Sequence, residues 1–177
     1  KGKHWSIAFK ADQEEGPSFE EMLKDHMEDV KNHTFKYEKI KREPLNRPHL
    51  LVIDPADVHI GKLASSFETG EEYNNQVAVQ RVRDGVDGIL QKAQAFDIEK
   101  IIFVAGNDIL HVDTPRRTTT SGTPQDTDGM WYDNFLLAKK LYVEVIDKLM
   151  QVADVHFMYN PSNHDHVHGF FLADAIS

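Results

Sequence analysis

The stretch KIIFVAGND, residues 100–108, sets five apolar residues in a row and follows them at once with a glycine, an amide and a carboxylate. An unbroken apolar run of this length, bounded by a turn signal, reads as a strand buried in a parallel sheet. The same grammar occurs at HLLVID (49–54) and at VHFMYN (155–160), the latter halted by Pro161. Between the runs the periodicity changes. Val79, Val82, Val86, Ile89, Leu90 and Ala93 recur at helical spacing, and so do Phe135, Ala138, Leu141, Val145, Ile146 and Leu149. Strand and helix in alternation predict an α/β protein: a parallel βαβαβ sheet with right-handed crossovers, covered by helices.

Outward from this core, residues 1–48 read as a small α+β segment, and residues 49–177 as the main domain. HWSIAF (4–9) has the look of a strand. Ser18 and Glu21 are spaced as a capping box before a helix with Phe19, Met22, Leu23, Met27 and Val30 on one face, and HTFKYEKIKREPLNRPH (33–49) reads as a strand running into a connector. There is no internal repeat. The chain begins at Lys1 and breaks off in the helix-like FFLADAIS, so it is expected to be a piece of a longer protein.

Composition narrows the chemistry. With 177 residues, 40% of them hydrophobic, the chain can bury one substantial core. No apolar run reaches the roughly 20 residues a bilayer demands, and the N-terminus lacks a signal-like apolar stretch. A cytoplasmic protein without membrane association is therefore expected. There is no cysteine, so any metal must be held by His, Asp, Glu or Asn. A net charge of -9 argues against simple coating of nucleic acid but not against phosphate chemistry, because carboxylates holding divalent cations present a positive face. The basic groups Lys39, Lys41, Arg42 and Arg47, Arg81 with Arg83, and Arg116 with Arg117 read either as phosphate contacts or as solvated surface.

Each apolar run delivers a polar cluster: DPADVHIGK, GNDILHVD and NPSNHDH. In an open parallel sheet all three fall outside the carboxyl ends of the strands, where such folds place ligands. Asp57 and His59, two apart, point to one side of an extended segment; the competing reading is an aspartate orienting a histidine. Asp108 supplies a carboxylate able to bridge two cations, with Asn107 and His111 as supporting or substrate-facing groups; a turn at Gly106 capped by Asn107 or Asp108 is the alternative. Asn163, His164 and Asp165 offer a neutral amide ligand, an imidazole and a carboxylate, or else an N-cap.

Taken in order, D-x-H, G-N-D and N-H-D, each after a buried strand, resemble the calcineurin-like metallophosphoesterases over about residues 49–177. GNDILHVD is similar to the branch that includes the double-strand-break repair nucleases. The resemblance implies the N-terminal half of an αββα sandwich. It further implies Asp57, His59, Asp108 and Asn163 as metal ligands, and His164 as the histidine that contacts phosphate and assists the leaving group. Asp165 is expected to hydrogen-bond to His164 and favour its charged form. Two divalent metal ions are implied, manganese first, with iron or zinc as the other candidates. Two departures stand out: Ser162 replaces the usual glycine before Asn-His-Asp, and no later Gly-His-x-His segment follows. His166 and His168 come too soon after Asn163 to replace it, and read as surface or supporting residues at the start of a helix.

The expected activity is two-metal hydrolysis of a phosphodiester, nuclease-like, with negligible turnover from these residues alone, because the second cation would have only Asp108 and Asn163. A small-molecule phosphatase or phosphodiesterase, and a non-catalytic binding module on this fold, are the alternatives. The expected partners are a phosphate ester, DNA among the candidates, and a second copy of the chain through the uncovered sheet face. The loop TTTSGTPQDTDG (118–129) is expected to face substrate.

Overall fold

The computed structural model describes residues 43–177 and, before them, Lys24 and Glu28, both helical and exposed. The remaining expectations for residues 1–42, including the HWSIAF strand, lie outside the described residues. By its internal contacts the chain divides into two units, Lys1–Lys41 and Arg42–Ser177. The second unit contains the sheet.

Three strands, β1 (Pro48–Ile53), β2 (Asp97–Ala105) and β3 (Asp154–Tyr159), form a parallel sheet in the order β1-β2-β3. The connections carry a short helix α1 (Ser66–Thr69) and two long ones, α2 (Asn75–Ala93) and α3 (Trp131–Met150); α4 (His166–Ile176) follows β3. The α/β class and the parallel βαβαβ order therefore stand as the apolar runs predict. Both long helices start and stop close to the periodic residues. The Asn74 side chain caps α2 by accepting from the Val77 N–H at 3.0 Å.

Register sorts the sheet's two faces. Ile53, Phe103 and Phe157 form one row, with Leu51, Ile101 and Val155 beside it, and all point to the same side. On that side the core joins Ile53, Ile101, Phe103 and Ala105 to Ala78, Val82 and Val86 of α2 and to Ala138, Leu141, Tyr142, Val145 and Leu149 of α3. Both helices thus pack on one face, with the Phe103 and Tyr142 rings 5.6 Å apart at its centre. Each fully buried large side chain here contributes about 2 kcal/mol. On the opposite face Leu50, Val52 and Met158 remain about half exposed. Arg83 and Glu144 clasp α2 to α3 through paired hydrogen bonds of 2.9 and 2.7 Å, but both are exposed and add at most about 1 kcal/mol. Among the described residues, no helix is long and apolar enough to cross a membrane.

Candidate metal centre

Beyond their last strand residues, the chains leaving β1 and β2 go on running side by side. Asp57 N–H donates to Asn107 O (3.0 Å), His59 N–H to Asp108 O (2.9 Å), Ile60 N–H to Ile109 O (2.8 Å) and His111 N–H back to Ile60 O (2.9 Å). This backbone zipper puts the D-x-H segment directly against G-N-D. The segment leaving β3 joins the other side of β2: Asn160 N–H donates to Ala105 O at 2.9 Å. It packs so closely that a Cβ on Gly106 would lie 2.0 Å from Asn160 O, and Gly106 has φ +115°, so only glycine fits.

The side chains converge accordingly. Asp57, His59 and Asp108 each offer a ligand atom, all within 4.8 Å of one another, and so do His59, His111 and His164. The His59 ring lies 4.7 Å from that of His164 and 5.3 Å from that of His111, centroid to centroid. Asp108 is buried, and its Oδ1 accepts the His164 N–H at 3.2 Å. Asp57, by contrast, is exposed. Asp57, His59 and Asp108 also sit on left-handed backbone, at φ +55°, +48° and +57°. Only Arg117 shares that conformation with them among the described non-glycine residues. Such strain persists where the surroundings hold it in place, and it collects at functional sites.

Burial, together with the neighbouring His59 and His164, pulls the His111 imidazole down to about 4. His59 is lowered too, by burial first and then by His164. Both rings are thus neutral near pH 7, the form that ligates metal.

One expected contact is not made. Asp165 does not hold the His164 ring. Its buried carboxylate accepts the Leu110 N–H at 2.7 Å and the Ser162 hydroxyl, which ties the β3 turn to the β2 loop. The His164 ring instead meets the His111 carbonyl, Nδ1 to O 2.9 Å. Side chains of consecutive residues diverge, so a carboxylate next in sequence is badly placed to reach its neighbour's ring. Burial pushes the Asp165 carboxyl upward, with Asp108 and Asp113 adding to the rise against the Ser162 and Leu110 hydrogen bonds. Ser162, the departure from glycine, is thereby put to use. Asn163 is exposed next to His164, and the Asn107 carbonyl serves the zipper.

Asp113 carries no local signal of its role. It lies two residues past His111, buried, and accepts from Val167 N–H (3.0 Å) and His168 N–H (2.7 Å), capping α4 from 54 residues away. Thr120 Oγ1 donates to the same carboxylate at 2.8 Å and accepts the His166 N–H at 3.1 Å. The loop 113–120 is thereby fastened to the start of α4. The His168 ring stacks on Trp131, 5.5 Å and 13°. His166 and His168 thus have structural surroundings outside the two ligand clusters.

The donors fit a cation. Two carboxylates and one imidazole suit a hard or borderline divalent ion such as manganese. For a second ion the described residues supply Asp108, with Asn163 next to the histidine that Asp108 binds. Comparison of the chain with protein-family models, with characterised proteins and with solved structures finds no match in any of the three.

Proposed function

We propose that the protein is a metal-dependent phosphoesterase of the phosphodiesterase or nuclease type. One observation carries this reading: Asp57, His59, Asp108 and His164 come from the ends of three parallel strands to one edge, three of them on strained backbone. Bound there, divalent cations would supply Lewis-acid charge to phosphoryl oxygens and lower the pKa of water.

The chain's own residues do the rest. Asp57, His59 and Asp108 would hold the first ion, and Asp108 with Asn163 would begin the second position. With Nδ1 donating to the His111 carbonyl, the neutral His164 ring keeps its lone pair on Nε2. Once protonated there, Nε2 can bind a phosphoryl oxygen or protonate a departing alkoxide. The zipper and the Asp165 anchor fix these groups before substrate arrives, which lowers the entropic cost of alignment. The exposed Tyr132 ring and the face of Trp131 turned away from His168 offer surfaces on which bases stack, which favours a nucleic acid over a small ester.

Manganese titration followed by paramagnetic broadening of amide signals tests the reading. Broadening should centre on residues 57–59, 108 and 163–164 and vanish in Asp108→Ala. Broadening spread over the acidic surface instead would remove its basis. Hydrolysis of single- and double-stranded DNA, set against aryl mono- and diesters, then separates nuclease from small-molecule phosphatase. With one ion position incomplete, turnover by this chain alone should be slight.

A further inference from the structure

We propose that His59, His111 and His164 form a three-imidazole site for one late first-row transition-metal ion, such as zinc or cobalt(II), with a ligand set distinct from Asp57, His59 and Asp108.

Their spacing is that of ligands rather than of hydrogen-bonded rings. Two nitrogens held about 2.0–2.1 Å from a tetrahedral ion lie about 3.4 Å apart. His59 Nδ1 and His111 Nδ1 are 3.5 Å apart. As a hydrogen bond the same contact would be long and weak, since N–H donors in proteins usually lie within about 3.2 Å of an oxygen acceptor. Among the described residues the long contact to His59 is the only hydrogen-bond contact of the His111 ring, although the residue is buried. A shared ion satisfies both rings at once.

The third nitrogen is fixed by the His111 carbonyl. A carbonyl only accepts, so the 2.9 Å contact puts the proton of neutral His164 on Nδ1 and leaves Nε2 as the ligand atom. Each of the three rings offers one nitrogen within 4.8 Å of one from each of the other two.

His59 belongs to both sets, but its two nitrogens face different ways. Nε2 lies 3.7 Å from Asp57 Oδ1, on the far side of the ring from the Nδ1 that faces His111. A neutral imidazole has one lone pair. Coordination through Nδ1 turns Nε2–H toward the Asp57 carboxylate, the usual outer partner of a ligating histidine. The tautomer of His59 therefore selects between a nitrogen-rich site for zinc or cobalt and an oxygen-rich one for manganese. While His164 Nε2 holds an ion it has no proton to give, so this state is not the hydrolytic one.

The test needs no substrate. The full chain is titrated with zinc, and imidazole ring nitrogens are followed in ¹H–¹⁵N correlation spectra; a parallel cobalt(II) titration is followed by visible absorption. At one equivalent, His59 Nδ1, His111 Nδ1 and His164 Nε2 should shift together while His166 and His168 stay put. Cobalt should show the intense bands of a four- or five-coordinate ion. His111→Gln should weaken cobalt binding at least tenfold, and Asp108→Asn less than threefold. If His111→Gln does not fold, the wild-type ring shifts still decide. No shift at His111, or wild-type cobalt affinity in folded His111→Gln, or loss of cobalt in Asp108→Asn, would each overturn the proposal. Failure of manganese-dependent hydrolysis would leave these readouts untouched, so the two readings fall separately.

Discussion

Gly106→Ala is the sharpest perturbation the structure offers. The added methyl would stand 2.0 Å from the Asn160 carbonyl oxygen, where ordinary contact begins near 3.4 Å, and the obstacle is backbone, which cannot swing aside. The chain leaving β3 must retreat by roughly 1.4 Å, enough to break the 2.9 Å bond from Asn160 N–H to Ala105 O. That loss costs about 1 kcal/mol, and alanine at φ +115° costs a further 1–3 kcal/mol or so. A total near 3 kcal/mol lowers the melting temperature by about 10 °C in a unit of this size. The retreat also draws His164 from Asp108, now 3.2 Å away, so any cation held between the two turns should bind more weakly. Thermal unfolding by circular dichroism and metal titration by calorimetry read the two effects. Gly85→Ala, where the new methyl meets nothing within 4 Å in the middle of α2, serves as the control and should stabilise by about 0.5–1 kcal/mol. A Gly106→Ala protein that melts within a degree of wild type and binds metal equally well would show that the β2 and β3 turns are not coupled.

Three further outcomes are expected. Asp165→Asn should fold and melt like wild type, because an amide oxygen can still accept the Leu110 N–H, whereas Asp165→Ala should lose about 1–3 kcal/mol in urea unfolding; equal losses would restore the need for a charge at 165. Asp113→Ala removes the cap of α4 and should cost about 2 kcal/mol, with faster amide exchange at Val167 and His168, and unchanged exchange there would refute the cap. His111 has a folded pKa near 4 against about 6.5 when unfolded, so the unfolded chain takes up the proton first as pH falls. Stability from this residue is full above about pH 6.5 and declines toward pH 4, by about 2 kcal/mol at pH 5. Denaturant melts of wild type and His111→Gln should diverge across that window, and parallel curves would contradict the assignment.

Much of this is legible in the amino acids, and what is not has a common cause. The strands announce themselves as apolar runs because a central strand such as β2 meets apolar neighbours along its length, and helix spacing in 79–93 and 135–149 places the covering layer. The polar clusters can be assigned to one edge because parallel strands all end on the same side. The zipper between residues 57–60 and 107–111 is built of main-chain groups, which leave no mark on side-chain identity. Asp113 caps a helix 54 residues away, and no local pattern ties the two. Adjacency in sequence assigns Asp165 to His164, whereas packing turns it inward to Leu110. His111 reads as a supporting residue, since a lone histidine carries no sign of which rings it will meet.

The left-handed backbone at 57, 59 and 108 has a bearing on any effort to harden this molecule. Glycine is at ease in that conformation, while aspartate and histidine occupy it at an energetic disadvantage of about 1 kcal/mol. Directed evolution that rewards heat resistance alone should therefore drift toward glycine at the exposed Asp57, while His59 and Asp108, whose side chains have partners of their own, should resist that change. If the proposed metal centre is right, robustness and cation affinity would pull against each other at position 57, and a screen would have to select for both.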